Sequence, residues 1–128
     1  MTSTRSKAHT LLVVDDYEDS LQLLTSFLSH EGYNILTTGT AEEAVEVAIR
    51  RRPDLILMDI GLPGLDGLSA VWRIREQPEL ADVPVIIISA HDSYDLREEA
   101  TSAGCKGYLA KPLDVKELKQ LIQGVLQP

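Results

Sequence analysis

The sequence predicts an α/β domain in which a five-stranded parallel sheet is wound on both faces by five helices. Three observations predict it. Short apolar runs recur along the chain, bounded by turn residues, in the manner of strands buried on both faces. Between them apolar residues return at spacings of three and four, the period of an amphipathic helix. Strands that alternate with helices join through right-handed crossovers, which makes the sheet parallel and covers both its faces. The 128 residues fit one domain with a real core, undivided by any repeat or linker-like stretch.

In chain order, Met1 to Ala8 is polar and reads as a flexible tail, leaving 9–128 as the folded domain. His9 to Val14 turns apolar at Leu11-Leu12-Val13-Val14 and ends in two carboxylates, Asp15 and Asp16. Leu21, Leu24 and Leu28, with Phe27 beside them, mark the first helix, and Gly32 closes it as a left-handed cap. Asn34 to Thr38 is a shorter, more polar second strand. Thr40-Ala41-Glu42-Glu43 is a capping box. It opens a helix with Ala41, Ala44, Val45 and Ala48 on one face. Arg50-Arg51-Arg52 ends that helix, where its dipole favours cations.

The third strand is Leu55 to Met58, a continuous apolar run with Asp59 at its end. Pro53 blocks the helix before it, while Gly61, Pro63, Gly64 and Gly67 turn the segment beyond Asp59 into a loop. Leu68, Val71, Trp72 and Arg75 carry a helical spacing as far as Gln77-Pro78, with Trp72 read as packing. Val83 to Ile88, the most hydrophobic strand, runs into Ser89-Ala90-His91-Asp92. Ser93 to Ala103 is a weakly amphipathic helix closed by Gly104. Gly107 to Ala110 is the last strand, before Lys111-Pro112. Asp114 caps a final helix whose Leu118, Leu121, Ile122, Val125 and Leu126 face the core. Five such units fit the flavodoxin-like strand order 2-1-3-4-5.

Composition narrows the function. Hydrophobic residues at 44% and charged residues at 25% are globular proportions. A net charge of -8 argues against direct contact with nucleic acid, because phosphate binding needs a basic patch. The longest apolar stretch, Val83 to Ala90, contains Pro84 and falls well short of the roughly 20 residues of a membrane helix. No signal segment opens the chain, so a cytoplasmic protein without membrane contact is expected. The single cysteine, Cys105, rules out an internal disulfide and fits a reducing compartment.

Chemistry gathers at one sheet edge. In the predicted order the first and third strands are central neighbours, so their carboxyl ends bring Asp15, Asp16 and Asp59 together at the edge where such sheets bind ligands. An aspartate following four large apolar residues must reach solvent or find a partner, or else simply cap the next turn. The fourth strand adds the hydroxyl of Ser89 and the fifth the ammonium of Lys111. Three adjacent carboxylates do not all ionise unaided. A hard divalent cation, Mg2+ (or Mn2+), resolves the repulsion.

These pieces resemble a response-regulator receiver domain. The resemblance rests on Val13-Val14-Asp15-Asp16, Pro53 to Asp59, Leu62-Pro63-Gly64-Leu65-Asp66-Gly67, Val85 to Ala90, and Ala103 to Pro112. It implies that Asp59 accepts a phosphoryl group from a histidine kinase or histidine phosphotransfer protein. It implies Asp16 as a direct metal ligand, Asp15 as a ligand mainly through water, and the Gly61 carbonyl as a further ligand. Ser89, Ala90 and Lys111 then bind the phosphoryl group, Tyr108 is the switch residue, and the Lys111-Pro112 bond is cis. In that chemistry the aspartate attacks phosphorus in line while Mg2+ and Lys111 neutralise charge. The resemblance further implies that Ser89 draws in the loop after the fourth strand and that Tyr108 turns inward to alter the face of the fourth helix, last strand and last helix. The plainer reading of Tyr108 is a half-buried strand aromatic with its hydroxyl in water.

Departures from the family pattern shape the rest. Gly61 is smaller than the usual residue, and His91, two residues after Ser89, either meets an incoming water or merely points outward. Lys106 and Gly107 stand where DNA-binding members that pair through this face often carry acids. Nothing follows the last helix, so the expectation is a monomeric single-domain regulator that signals to a downstream protein target by contact. A fragment of a larger regulator or hybrid kinase is the alternative. An aspartate-nucleophile phosphatase fits poorly, since Asp59-Ile60-Gly61 lacks the second aspartate and the chain has no room for a cap. A flavodoxin would need a glycine-rich phosphate loop where Asp15-Asp16 stands.

Overall fold

The computed structural model describes residues 8–61, 66–90 and 93–126. All but the last residue of the predicted tail lies outside them, as do His91 and the 62–65 stretch. The elements are β1 (Thr10–Val14), α1 (Glu18–His30), β2 (Asn34–Thr38), α2 (Ala41–Arg51), β3 (Leu55–Asp59), α3 (Gly67–Arg75), β4 (Val85–Ser89), α4 (Tyr94–Ser102), β5 (Gly107–Ala110) and α5 (Val115–Leu126). The five strands pair in parallel in the order β2-β1-β3-β4-β5, as the alternation predicts.

Successive side chains of a strand point to opposite faces, so each apolar strand feeds two cores. One face packs Leu12, Val14, Ile56, Met58 and Ile87 against α2, α3 and α4. The other packs Leu11, Val13, Leu57, Ile86 and Ile88 against α1 and α5. Every residue of β3 and β4 is buried, which explains why these two strands read as unbroken apolar runs.

Side-chain caps start four helices. Thr40 Oγ1 accepts from the Glu43 N–H at 3.1 Å, Asp66 Oδ1 from Ser69 at 2.9 Å, Ser93 Oγ from Leu96 at 3.1 Å and Asp114 Oδ1 from Lys116 at 2.9 Å. Gly32 and Gly104 take the left-handed φ of 98° and 79° that closes α1 and α4.

Three details depart from expectation. β4 begins at Val85 rather than Val83, because Pro84 offers no ladder donor and the Val83 N–H bonds back to Leu80 across a short 3-10 turn, Pro78–Leu80. Trp72 is not core packing: 45% of it is exposed, since Leu68, Val71 and Ile74 take the buried stripe of α3. Arg75 does the packing instead. Its guanidinium donates to the carbonyls of Ala103 (3.1 Å), Leu80 (3.3 Å), Val83 (2.7 Å) and Gly104 (3.2 Å), tying α3 to the turns before β4 and β5.

One glycine shapes the site. A Cβ on Gly67 would lie 2.7 Å from Ile60 Cα and 2.8 Å from the Asp59 carbonyl oxygen, so only glycine lets α3 start this close to the end of β3.

Candidate functional site

The site is built from strand ends. Asp59 is the last residue of β3, paired opposite Ile88 of β4. Asp15 follows β1, its N–H bonded to the Thr38 carbonyl at 3.1 Å. Ser89 ends β4 opposite Ala110, and its carbonyl accepts from the Lys111 N–H at 2.8 Å. The Lys111–Pro112 bond is cis, as the resemblance implies.

Side chains then converge. One oxygen each from Asp15, Asp16 and Asp59 lies within 4.8 Å of the others. Lys111 Nζ donates to Asp59 Oδ2 at 2.8 Å and stands 3.5 Å from Asp15 Oδ2. The remaining oxygens are held by backbone: Asp59 Oδ1 accepts from the Gly61 N–H at 2.9 Å, and Asp15 Oδ1 from the Tyr17 N–H at 2.9 Å. Asp15 and Asp59 are buried, whereas Asp16 is exposed.

Burial and charge oppose each other here. Burial pushes the Asp15 carboxyl above its ordinary value, against the Tyr17 N–H and the Lys111 charge, which pull it down. For Lys111 burial works to lower the ammonium, but the hydrogen bond and charge of Asp59, with Asp15 behind them, outweigh it and raise the value. The lysine is thus fixed as a cation between two acids.

A cleft of about 370 Å³ opens over this cluster, lined by Asp16, Asp59, Gly61, Ser89, Ala90 and Lys111 among others. A Cβ added to Gly61 would sit an ordinary 3.6 Å from Asp59 Oδ1, so the glycine widens the mouth rather than relieving a clash. The structure therefore gathers seven of the eight predicted residues. Tyr108 lies elsewhere, half-buried beside a separate hollow of about 170 Å³, with the Arg97 guanidinium over its ring at 4.6 Å. Leu96, which lines the cleft, and Arg97 have no sequence signal, because neither stands at a strand end or in a motif.

Residues 11–123 match the family described as the response regulator receiver domain. The chain belongs to that family. It is 33% identical over 116 residues to the polar-differentiation response regulator DivK of Brucella anthropi, covering 91% of this chain and 94% of that protein. It is 38% identical over 117 residues to the transcriptional regulatory protein PrrA of Mycobacterium tuberculosis, covering 91% of this chain and 49% of that protein. Among solved structures it resembles the receiver domain of a Pseudomonas aeruginosa sensor histidine kinase, with a TM-score of 0.87, 34% identity and coverage of 95% and 100%. That receiver domain has a magnesium ion coordinated in its active-site cleft. The present chain is a receiver domain of two-component signalling with a carboxylate cluster at the carboxyl edge of its sheet.

Proposed function

We propose that this receiver takes a phosphoryl group onto Asp59 from the phosphohistidine of a histidine kinase or histidine phosphotransfer protein. The observation that carries the reading is Lys111, whose ammonium is 2.8 Å from Asp59 and 3.5 Å from Asp15 at the base of an open cleft. An aspartate held only for structure would not need a lysine, a backbone N–H and access to solvent together.

The donor set suits Mg2+ or Mn2+: three carboxylates that supply hard oxygen, with no sulfur or imidazole among them. Asp15, Asp16 and Asp59, with the Gly61 carbonyl, are the residues that would hold the ion. When bound it supplies positive charge to the oxygens of the transferring group.

The chain's own residues do the rest. Asp59 attacks phosphorus as the bond to the donor's imidazole nitrogen breaks, and Lys111 neutralises charge on the phosphoryl oxygens. The Gly61 N–H fixes the carboxylate's rotation beforehand. Ser89 and the Ala90 backbone then bind the phosphoryl group. The pull on the β4–α4 connection is passed to Tyr108 and the α4-β5-α5 face, which meets a downstream protein. The domain catalyses only its own phosphorylation and dephosphorylation.

A groove of about 260 Å³ beside the cleft favours a protein as the donor. Leu23, Leu24, Pro112, Leu113 and Val115 line it, with Asp15 and Lys111 at its inner end. The apolar patch on α1 is centred on Leu23, 67% exposed, rather than on Leu24, which is buried. The charge of -8 fits protein rather than nucleic-acid partners. Among the described residues no helix is long and apolar enough to cross a membrane.

Incubation with a small phosphodonor and Mg2+ tests the reading. One phosphoryl mass is expected on the wild type, absent with a chelator and absent in Asp59→Asn. An unchanged mass gain in Asp59→Asn would remove the assignment.

A further inference from the structure

α4 is lightly anchored. Of its nine residues Ala100 alone is buried, so little apolar area holds the helix to the sheet. Two neighbours on its first turns face different sites. Leu96 lines the cleft with Asp59, Ser89 and Lys111, whereas Arg97 lays its guanidinium over the Tyr108 ring of β5 at 4.6 Å. That separation is the distance of a cation–π contact, and arginine's planar group is suited to stacking on an aromatic face. The Tyr108 ring also packs against the core under α4, so it is held by the core as well as by the cation.

We propose that Arg97 is a positioning residue, a latch that holds Tyr108 and α4 in the resting arrangement and is released when the cleft is loaded. The proposal rests on the reading of Asp59 as phosphoacceptor. If Ser89 draws the β4–α4 connection towards a phosphoryl group, α4 shifts along β5 and Arg97 leaves the ring. A contact present in only one of two states biases the equilibrium by its own free energy, and it opposes any ligand of the other state to the same degree. The latch therefore sets how readily this receiver switches, and a residue outside the cleft tunes affinity inside it.

Beryllofluoride, a phosphoryl mimic, gives the test when titrated at fixed Mg2+. Arg97→Met keeps an apolar stem over the ring and removes the charge. It should bind beryllofluoride about two- to fivefold more tightly than wild type, the size of an exposed cation–π contact. Arg97→Lys, which keeps a cation, should fall between. In a Tyr108→Leu background the gain from Arg97→Met should be smaller, because the ring is gone and only the guanidinium's other interactions remain. Equal affinity in Arg97→Met and wild type, or an equal gain in both backgrounds, overturns the latch. A second measurement needs no ligand: with 3-fluorotyrosine incorporated, the Tyr108 resonance, assigned by its loss in Tyr108→Phe, should move in Arg97→Met. An unmoved resonance also overturns it. If wild type shows no Mg2+-dependent beryllofluoride binding, the phosphoacceptor reading fails, and the resonance alone decides the latch.

Discussion

Asp15 and Asp16 are neighbours in sequence with different surroundings. Asp15 is 2% exposed, and burial raises its carboxyl above the usual range despite Lys111 nearby. Asp16 is exposed, so water screens its charge. Because the folded-state value of Asp15 is raised, the fold favours its neutral form. That contribution is fully present below the ordinary carboxylate value and is lost as pH rises through the higher folded one. In metal-free buffer near pH 7, Asp15→Asn should therefore melt above wild type, with the gain shrinking as acid protonates the wild-type carboxyl. Asp16→Asn should gain less. Mg2+ at ten times its Kd should raise the wild-type melting point by about 4–8 °C, from about 1.4 kcal/mol of linkage, and Asp15→Asn by less. Calorimetry over a pH series checks the order. A lower melting point for Asp15→Asn without metal would mean that the Lys111 attraction outweighs burial.

At the scale of elements, the β3–α3 junction is the tightest part of the site. Gly67 begins α3 against the backbone of Asp59 and Ile60, where an added Cβ has no space. Gly67→Ala should destabilise by about 1–3 kcal/mol, the usual result of overpacking, and should slow phosphorylation by displacing Asp59. Gly61→Ala, which meets only ordinary contact, should leave stability within about 0.5 kcal/mol. Thermal unfolding of the pair decides it, and equal losses would remove the backbone-contact argument. Gly107 on β5 differs, because what lies close to it is side chain rather than backbone. A Cβ there would lie 2.6 Å from Leu121 Cδ2, a contact that a rotation of the leucine side chain can relieve.

Legibility in the sequence depends on where information is local. β2 and β5 lie where the residue pattern places them, since turn residues bound both. Asp15, Asp59, Ser89 and Lys111 are legible because each stands at the end of an apolar run, and topology alone brings such ends together. Arg75 and Arg97 are not. The partners of Arg75 lie up to 29 residues away, and Arg97 meets Tyr108 across two elements, so no local spacing records either contact. Trp72 misleads for a related reason: helical period gives a face, but the buried stripe is narrow enough to exclude a neighbouring large residue.

At the scale of the whole molecule, an acidic chain of -8 with one wound sheet and a mostly polar α4-β5 surface has little apolar area for a permanent partner. The isolated domain should sediment as a monomer at micromolar concentration, with or without beryllofluoride. A beryllofluoride-induced dimer would indicate pairing through the α4-β5-α5 face. The proposed phosphoacceptor is tested most directly by locating the phosphoryl group on the chain. After treatment with phosphodonor and Mg2+, borohydride reduction converts an aspartyl phosphate to homoserine, and peptide mapping locates it. Homoserine is expected at position 59 alone; homoserine at 15 or 16, or at none of the three, would contradict the assignment of Asp59.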